Sequence, residues 1–310
     1  RAVRKTLQNR RAEIQTCPPC AYGALLASRL CPSLPAEEGI RMAAANLGGA
    51  EIPAQAVEEL LLPGRVRGYR ESVLDRFLSQ GEYFWHMKEG GRLCFDRCDA
   101  IDWDGEPDVP WEELTEKERL LVEALLKRGA SFMQALNSVL CGESPYDALL
   151  SLMEKGIVCA DSFVPVRQWL GREKTKKSAA RQRVGARVKA LKAGRWDLVR
   201  PLRAPALQEK LDRCFDRYLV LCRETASACG LSFQEALSVL RIQEYTGQVR
   251  RGYFVEGFSG AQFIRQKDFA GVVSALANPG REIVWINAAD PAQPWGKLLS
   301  HEKDRAFVNV

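Results

Sequence analysis

The sequence predicts an α+β chain of tandem winged-helix modules, each a helix-turn-helix with a β-hairpin wing, followed by the beginning of a β-barrel. Three observations predict it. Three separate windows repeat one design, short amphipathic helices and then strands. Two of these windows carry a helix-start signature, Thr115-x-x-Glu118 and Ser232-x-x-Glu235, in which hydroxyl and carboxylate satisfy the orphan amides of a first turn. Charged stretches separate the windows, an acidic one from Asp96 to Glu113 and a basic one from Gly171 to Arg195.

Residues 1–50, Pro- and Cys-rich through Pro35, are assigned to no module. The first module is expected over 51–104. Ala54 to Leu62 reads as a helix closed by Pro63-Gly64. Arg70 to Ser79 is the next, with Val73, Leu74, Phe77 and Leu78 inward. A hairpin follows, Glu82 to Met87 and Arg92 to Asp96 around Lys88-Glu89-Gly90-Gly91.

The second module is expected over 112–170. After Thr115, residues Leu121, Val122, Leu125 and Leu126 recur at helical spacing, and Gly129 ends the helix. Ser131-x-x-Gln134 opens a second helix, with Phe132, Ala135, Leu136 and Val139 on one face. Ser144 caps a third, with Pro145 and Asp147 in its first turn and Leu149, Leu150 and Met153 inside. Gly156 ends it, and Ile157-Val158 begins a strand. A basic linker is drawn at 171–200, and the third module at 201–256. There Leu207 to Tyr218 is helical, and Ser232 opens a helix burying Phe233, Ala236, Leu237 and Leu240. Gly247 closes that helix before a strand led by Arg250 and Arg251. Residues 257–310 are expected to start the barrel.

At 310 residues the chain accommodates two to four compact units. Hydrophobic residues at 46% and charged residues at 27% are ordinary for a globular protein. No run approaches the ~20 apolar residues of a membrane span, and the charged Arg1–Arg11 start is unlike a signal peptide. A cytoplasmic protein is the expectation. The Arg1 start and the strand-like Ala306–Val310 end suggest a piece of a longer chain. The ten cysteines are scattered, several on apolar positions, and are expected to be reduced core residues. Cys17, Cys20, Cys94 and Cys98 can also be read as four zinc ligands, but they lack knuckle spacing; no metal is expected.

The net charge of +6 matters less than its distribution. Lys174, Lys176, Lys177, Arg181, Arg183 and Arg187 belong to a run of ten cations opposed only by Glu173. Such a run neutralises phosphates and releases counterions; its plainer role is a solvated spacer. On the helix opened by Ser232, the outward side shows Gln234, Ser238, Arg241 and Tyr245, side chains able to meet bases and phosphates in a groove. That face also suits protein binding. Arg250 and Arg251 start the wing, which commonly lies along a nucleic-acid backbone. Tyr253, Phe254, Phe258, Phe263, Trp285 and Trp295 form an aromatic-rich region suited to barrel packing or to base stacking. Trp103 and Trp196 are expected to be structural.

At Arg250 to Phe263, RRGYFVEGFSGAQF, the sequence resembles the C-terminal region of bacterial Lhr, the large helicase-related protein. Gly194-Arg195-Trp196, Leu61 to Val66, Val158 to Arg167 and Asp290 to Gly296 support it, so the likeness runs from about Ile52 to Gly296. It implies a superfamily 2 helicase whose ATPase lobes, with ATP and magnesium, lie upstream. The sequence itself holds no Gly-x4-Gly-Lys-Ser/Thr loop, and no cofactor is expected of it. The resemblance also implies tandem winged helices with a β-barrel, and a likeness to a DNA-glycosylase family whose motif is two glutamines around one apolar residue. Here Gln262 stands alone between Ala261 and Phe263. Gln262 and Asp290, with Glu256, are the polar groups of the resembling strings that could serve glycosylase chemistry on a flipped base.

Three functions follow. The first is a DNA-binding region, on single or double strands, working with helicase lobes of the same polypeptide. The second is a uracil-type DNA glycosylase. The third is an interaction scaffold or homo-oligomer.

Overall fold

The computed structural model describes residues 16–30, 34–174 and 194–280, together with Ile286, Asp290, Pro291 and Leu298. They fall into two compact units. Residues 33–204 form one; residues 1–32 and 205–310 form the other. The first element, helix α1 (Pro19–Leu30), belongs to the second of these.

The unit over 33–204 contains two winged helices. In the first, helix α2 (Ala36–Leu47) leads to a short strand β1 (Ile52–Pro53) and to helix α3 over 54–65. Helix α4 (Glu71–Ser79) and the hairpin β2 (Tyr83–Lys88) and β3 (Arg92–Arg97) follow. The strand order is β1-β3-β2. Its boundary therefore begins near residue 36 rather than 51, because α2 buries Ile40, Ala43, Ala44 and Leu47 in the module's core. Pro63 does not close α3. A π-helical turn over Val57–Leu61 shifts the register, and Pro63 falls in the first positions of a fresh turn, where it needs no amide partner. The hairpin matches the predicted segments within a residue.

The second winged helix has α5 (Glu116–Arg128), β4 (Ser131–Phe132), α6 (Met133–Asn137), α7 (Tyr146–Glu154), β5 (Val158–Ala160), α8 (Val164–Lys174) and β6 (Arg195–Leu198). Thr115 and Glu118 form the predicted capping box. Ser131 caps nothing. It pairs with Trp196 as a strand residue, which leaves Phe132 and Ala135 exposed instead of buried. Leu126 is likewise outward. The partner strand lies more than sixty residues away, so no local pattern announces it.

That same pairing relocates the basic stretch. Strand β6 bonds to both β4 and β5, so the segment drawn as a linker at 171–200 lies inside the second module, between its last two strands. The expected end at 170 removes a strand that carries fully buried Trp196. Gly194 makes the turn into β6 at φ +76°, where an added Cβ would lie 1.8 Å from Asp161 Oδ1. Asp161 accepts from the Arg195 amide at 2.8 Å and from its Nε at 2.9 Å.

One apolar core runs through both modules. Phe163, fully buried, meets Trp85 edge-on at 5.9 Å and stacks on Phe95 at 6.3 Å. Trp85 Nε1 donates to Ser162 O at 3.1 Å. Arg167 donates to Glu58 at 2.7 and 2.9 Å and to Asp75 at 2.8 Å. Burial alone would lower this guanidinium's pKa; its hydrogen bonds to Glu58 and Asp75 outweigh that and raise it.

The other unit is the third winged helix. It contains α9 (Leu207–Tyr218), β7 (Val220–Leu221), α10 (Arg223–Ala228), α11 (Phe233–Tyr245), β8 (Val249–Gly252), β9 (Gln262–Arg265) and α12 (Gln266–Ala277). The strand order β7-β9-β8 repeats that of the first two sheets. This corrects the barrel expectation for 257–277. Gln262–Arg265 completes the winged-helix sheet, and a helix follows it. No closed barrel is present among the described residues, and most of 281–310 lies outside them. Of the opening segment, Cys17, Ala21, Tyr22, Leu25 and Leu26 are part of this core. Cys17 N donates to Phe254 O at 2.8 Å and Glu256 N to Cys17 O at 2.9 Å. Tyr22, fully buried on α1, donates to Tyr218 O at 2.8 Å.

Candidate nucleic-acid interface

In a winged helix the third helix is the usual groove reader. Three such helices are present, α4, α7 and α11, and their surroundings differ. The carboxylates Glu71 and Asp75 of α4 are paired to Arg167. On α7, Asp147 accepts from Arg172 at 2.5 Å, and that guanidinium lies 5.5 Å from the Tyr146 ring centre. Both helices thus present acids, and α8 occupies them.

Helix α11 is different. Ser232 caps it by accepting from Glu235 N at 3.4 Å, and Ala236 and Leu240 turn into the core. That orientation sets the opposite side. Gln234, Ser238, Arg241 and Tyr245 are all exposed, as the spacing predicts. Arg241 has no ion-pair partner among the described residues. Ser238 Oγ donates to Glu235 O at 2.7 Å within its own helix, leaving the oxygen able to accept. The sequence reading missed Ile242, which is 66% exposed between Arg241 and Tyr245. Positions 234, 238, 241, 242 and 245 share one helical face, so the spacing alone could have placed it there.

The wing departs from expectation. Arg250 Nε donates to Gln266 Oε1 at 2.9 Å, and its guanidinium lies 4.2 Å over the Phe269 ring. Arg251 lies 5.9 Å from Phe263. Both are half-buried against aromatic rings rather than leading an extended wing. The loop after β8 folds down onto the module. Ser259 donates through N and Oγ to Glu224 at 2.9 and 2.7 Å. Burial would raise the Glu224 pKa, but these hydrogen bonds outweigh it and lower it.

Gln262 is 1% exposed. Its Oε1 accepts from the amides of Phe254 and Val255, both at 2.8 Å, and its Nε2 donates to Val255 O at 2.7 Å. These contacts give the side chain a structural role, holding the wing loop in the way a strand neighbour would, and leave it no open acceptor for a ligand. Asp290 is buried and engaged, and most of its neighbours in sequence lie outside the described residues. Glu256 is exposed. Of the expected cations, Lys174 ends α8, whereas Lys176, Lys177, Arg181, Arg183 and Arg187 lie outside the described residues.

Of the aromatic residues, Phe254 and Phe263 are core and Phe258 packs edge-on against Tyr22 at 5.5 Å. Tyr253 is exposed. Trp196 is core as expected, but Trp103 is exposed with Arg200 5.7 Å from its ring. Trp285 and Trp295 lie outside the described residues. Cys17 and Cys94 are buried in different units, and desolvation pushes both thiols up to about 11. No group of three potential metal ligands occurs among the described residues, and no described helix is long and apolar enough to cross a membrane.

Comparison with known proteins fits this geometry. Two family models, each described as large helicase-related protein, winged-helix domain, match residues 25–94 and 201–281. The chain is 29% identical over 338 residues to an "Lhr helicase/ probable uracil glycosylase" of Mycolicibacterium smegmatis, covering 97% of this chain and 22% of that protein. The chain is similar to the winged-helix C-terminal region of Lhr helicases. An Escherichia coli "Lhr helicase/uracil glycosylase" is also 29% identical, over 310 residues, covering 84% of this chain and 20% of the relative. The chain thus spans about a fifth of the length of the curated relatives it matches. The first family match takes in α2 and the second reaches past β9 into α12, in keeping with the module limits seen in the fold. Neither of the two covers the middle module, whose assignment rests on its β4-β6-β5 sheet.

Proposed function

We propose that this region holds nucleic acid through α11 of the third module, for helicase lobes elsewhere in the parent polypeptide that use ATP and magnesium. One observation carries the reading. Of the three groove-reading helices, α11 alone among the described residues presents an uncommitted cation on an exposed polar face, while α4 and α7 present acids held by α8. The cations of 172–195 support it from the sequence, since they connect strands β5 and β6 of a module of the same fold. Their contribution is sequence-independent attraction to phosphate, and that of α11 is orientation.

Fluorescence anisotropy of labelled DNA across a salt series tests the reading. Wild-type chain binds, and Arg241→Ala weakens binding and flattens log K against log salt by up to about 0.9 on duplex, the share of one phosphate contact. An unchanged isotherm and slope for Arg241→Ala removes α11 from the interface. The names of both relatives also mention uracil glycosylase. For this chain, the committed hydrogen bonds of Gln262 favour binding over chemistry at that residue.

A further inference from the structure

The third module holds a group of thiols that the α11 face does not use. Cys214 lies on α9, and Cys222 and Cys229 flank α10 at its two ends. Cys214, Cys222 and Thr225 are fully buried, and Cys229 is partly buried against the same core. Thr225 organises the group. Its Oγ1 accepts from the Cys222 amide at 2.8 Å, lies 3.5 Å from Cys222 Sγ and is hydrogen-bonded to Cys214. Cys214 is also hydrogen-bonded to the Cys229 side chain. Both are free thiols. Two sulfurs from different helices therefore meet, one wholly in the core and one reaching solvent.

The two are unequal. The contact with Cys229, and then burial, hold the Cys214 thiol well above the usual range, so it keeps its proton. Cys229 is lowered, first by the hydrogen bond from Cys214 and further by the charge of Arg217, which together outweigh its burial. Burial pushes Cys222 up to about 11. A thiolate on the solvent side with a protonated thiol against it suits a two-step oxidation. The first sulfur meets the oxidant and the second resolves the product.

We propose that Cys229 and Cys214 form a reversible disulfide on exposure to hydrogen peroxide, with Cys229 as the attacking sulfur and Cys214 as the resolving one. The Cys229 thiolate attacks one peroxide oxygen and the O–O bond breaks. Hydroxide leaves and takes a proton from solvent, and Cys229 becomes a sulfenic acid. The Cys214 sulfur then attacks the Cys229 sulfur. The S–S bond forms as the S–O bond breaks, and the departing hydroxide takes the Cys214 proton. The thiol pair has lost two electrons and the peroxide has become two waters. A dithiol reductant reverses the bridge by exchange. The bridge pins the turn into α11, because Cys229 is followed by Gly230 at φ +65° and by Ser232, the cap of that helix. It forms whatever α11 binds.

The test treats the full chain with hydrogen peroxide, then alkylates, digests and maps it by mass spectrometry. The expected product is a Cys214–Cys229 crosslinked peptide, two hydrogens lighter than its separate halves and lost again in dithiothreitol. Cys214→Ser is expected to stop at the first step, so that dimedone, which traps sulfenic acids, tags Cys229 in this variant and not in wild type. Cys229→Ser gives neither product. Before oxidation, alkylation of the native chain modifies Cys229 ahead of Cys214 and Cys222. The wild-type map needs no variant, so a folding defect in Cys214→Ser leaves the test intact. Cys214 and Cys229 both recovered as reduced thiols after peroxide, or Cys229 bridged to Cys20, Cys141 or a second chain instead, overturns the proposal. Equal dimedone tagging of Cys229 in wild type and Cys214→Ser overturns it too, since Cys214 then resolves nothing.

Discussion

The side-chain amide of Gln262 and the backbone of Val255 bond in both directions, Oε1 accepting from Val255 N at 2.8 Å and Nε2 donating to Val255 O at 2.7 Å. A second amide, from Phe254, reaches the same Oε1 at 2.8 Å. A loop of nine residues, 253–261, is thereby tied to the sheet from inside.

Gln262→Ala should therefore act on stability. It leaves two buried amides and a carbonyl without partners, at roughly 1–3 kcal/mol for each unsatisfied group that water cannot reach. Denaturant melting is expected to show the third module unfolding earlier, with Gln262→Glu at least as damaging because a carboxylate cannot donate to Val255 O. A midpoint equal to wild type for Gln262→Ala contradicts the structural role.

Arg167 gives the second prediction. Its guanidinium, 16% exposed in its side chain, bridges Glu58 of α3 and Asp75 of α4 from the second module. Arg167→Ala leaves those carboxylates facing each other over an apolar core, a loss on the order of 2–5 kcal/mol. The first two modules should melt earlier, while the DNA affinity of the folded protein stays at the wild-type value. A large loss of affinity at full folding would show that α4 belongs to the interface after all.

The third prediction concerns acid. Burial would raise the Glu118 pKa, but hydrogen bonds from Ser151, the Thr115 amide and hydroxyl, and Lys155 outweigh it and lower it below the usual 4.5. A lowered carboxyl contributes stability that is fully present above its unfolded value and lost as pH falls through the folded one. Thermal midpoints of wild type should hold from neutral pH to about 5 and then drop, and Glu118→Gln, which lacks this titration, should drop less over the same interval. At neutral pH, Thr115→Ala should lose about 1 kcal/mol from the same cap. Parallel pH profiles for wild type and Glu118→Gln contradict the assignment.

The basic stretch gives the fourth. Replacing Lys174, Lys176, Lys177, Arg181, Arg183 and Arg187 by Gln should flatten the salt dependence of duplex binding by as much as about 5 in log–log slope, at roughly 0.9 for each phosphate no longer neutralised. An unaltered slope would return those residues to a solvated spacer.

What the sequence showed was local. Helical spacing and capping signatures identified α5, α7, α9 and α11, and the hairpin β2–β3 was legible because its turn and both strands are contiguous. The polar face of α11 was legible for the same reason: a helix buried on Ala236 and Leu240 must expose Gln234, Ser238, Arg241 and Tyr245. Long-range pairing was not legible. Ser131–Phe132 reads as a helix start until Arg195–Trp196 arrives to pair with it, and the same missing partner turned an insertion within a module into a linker. Gln262 carried a chemical motif in the sequence and a structural one in the fold, because the amides it meets, Phe254 and Val255, lie across a loop. The role of α8 in occupying α4 and α7 was likewise hidden, since Arg167 meets Glu58 more than a hundred residues away.

Hydrogen exchange, followed with and without saturating single-stranded DNA, tests the central claim most directly. The account predicts new protection over residues 234–253, covering α11 and β8, with 71–79 and 146–154 unchanged. Protection confined to 71–79 or 146–154, with 234–253 exchanging as in the free protein, would contradict it.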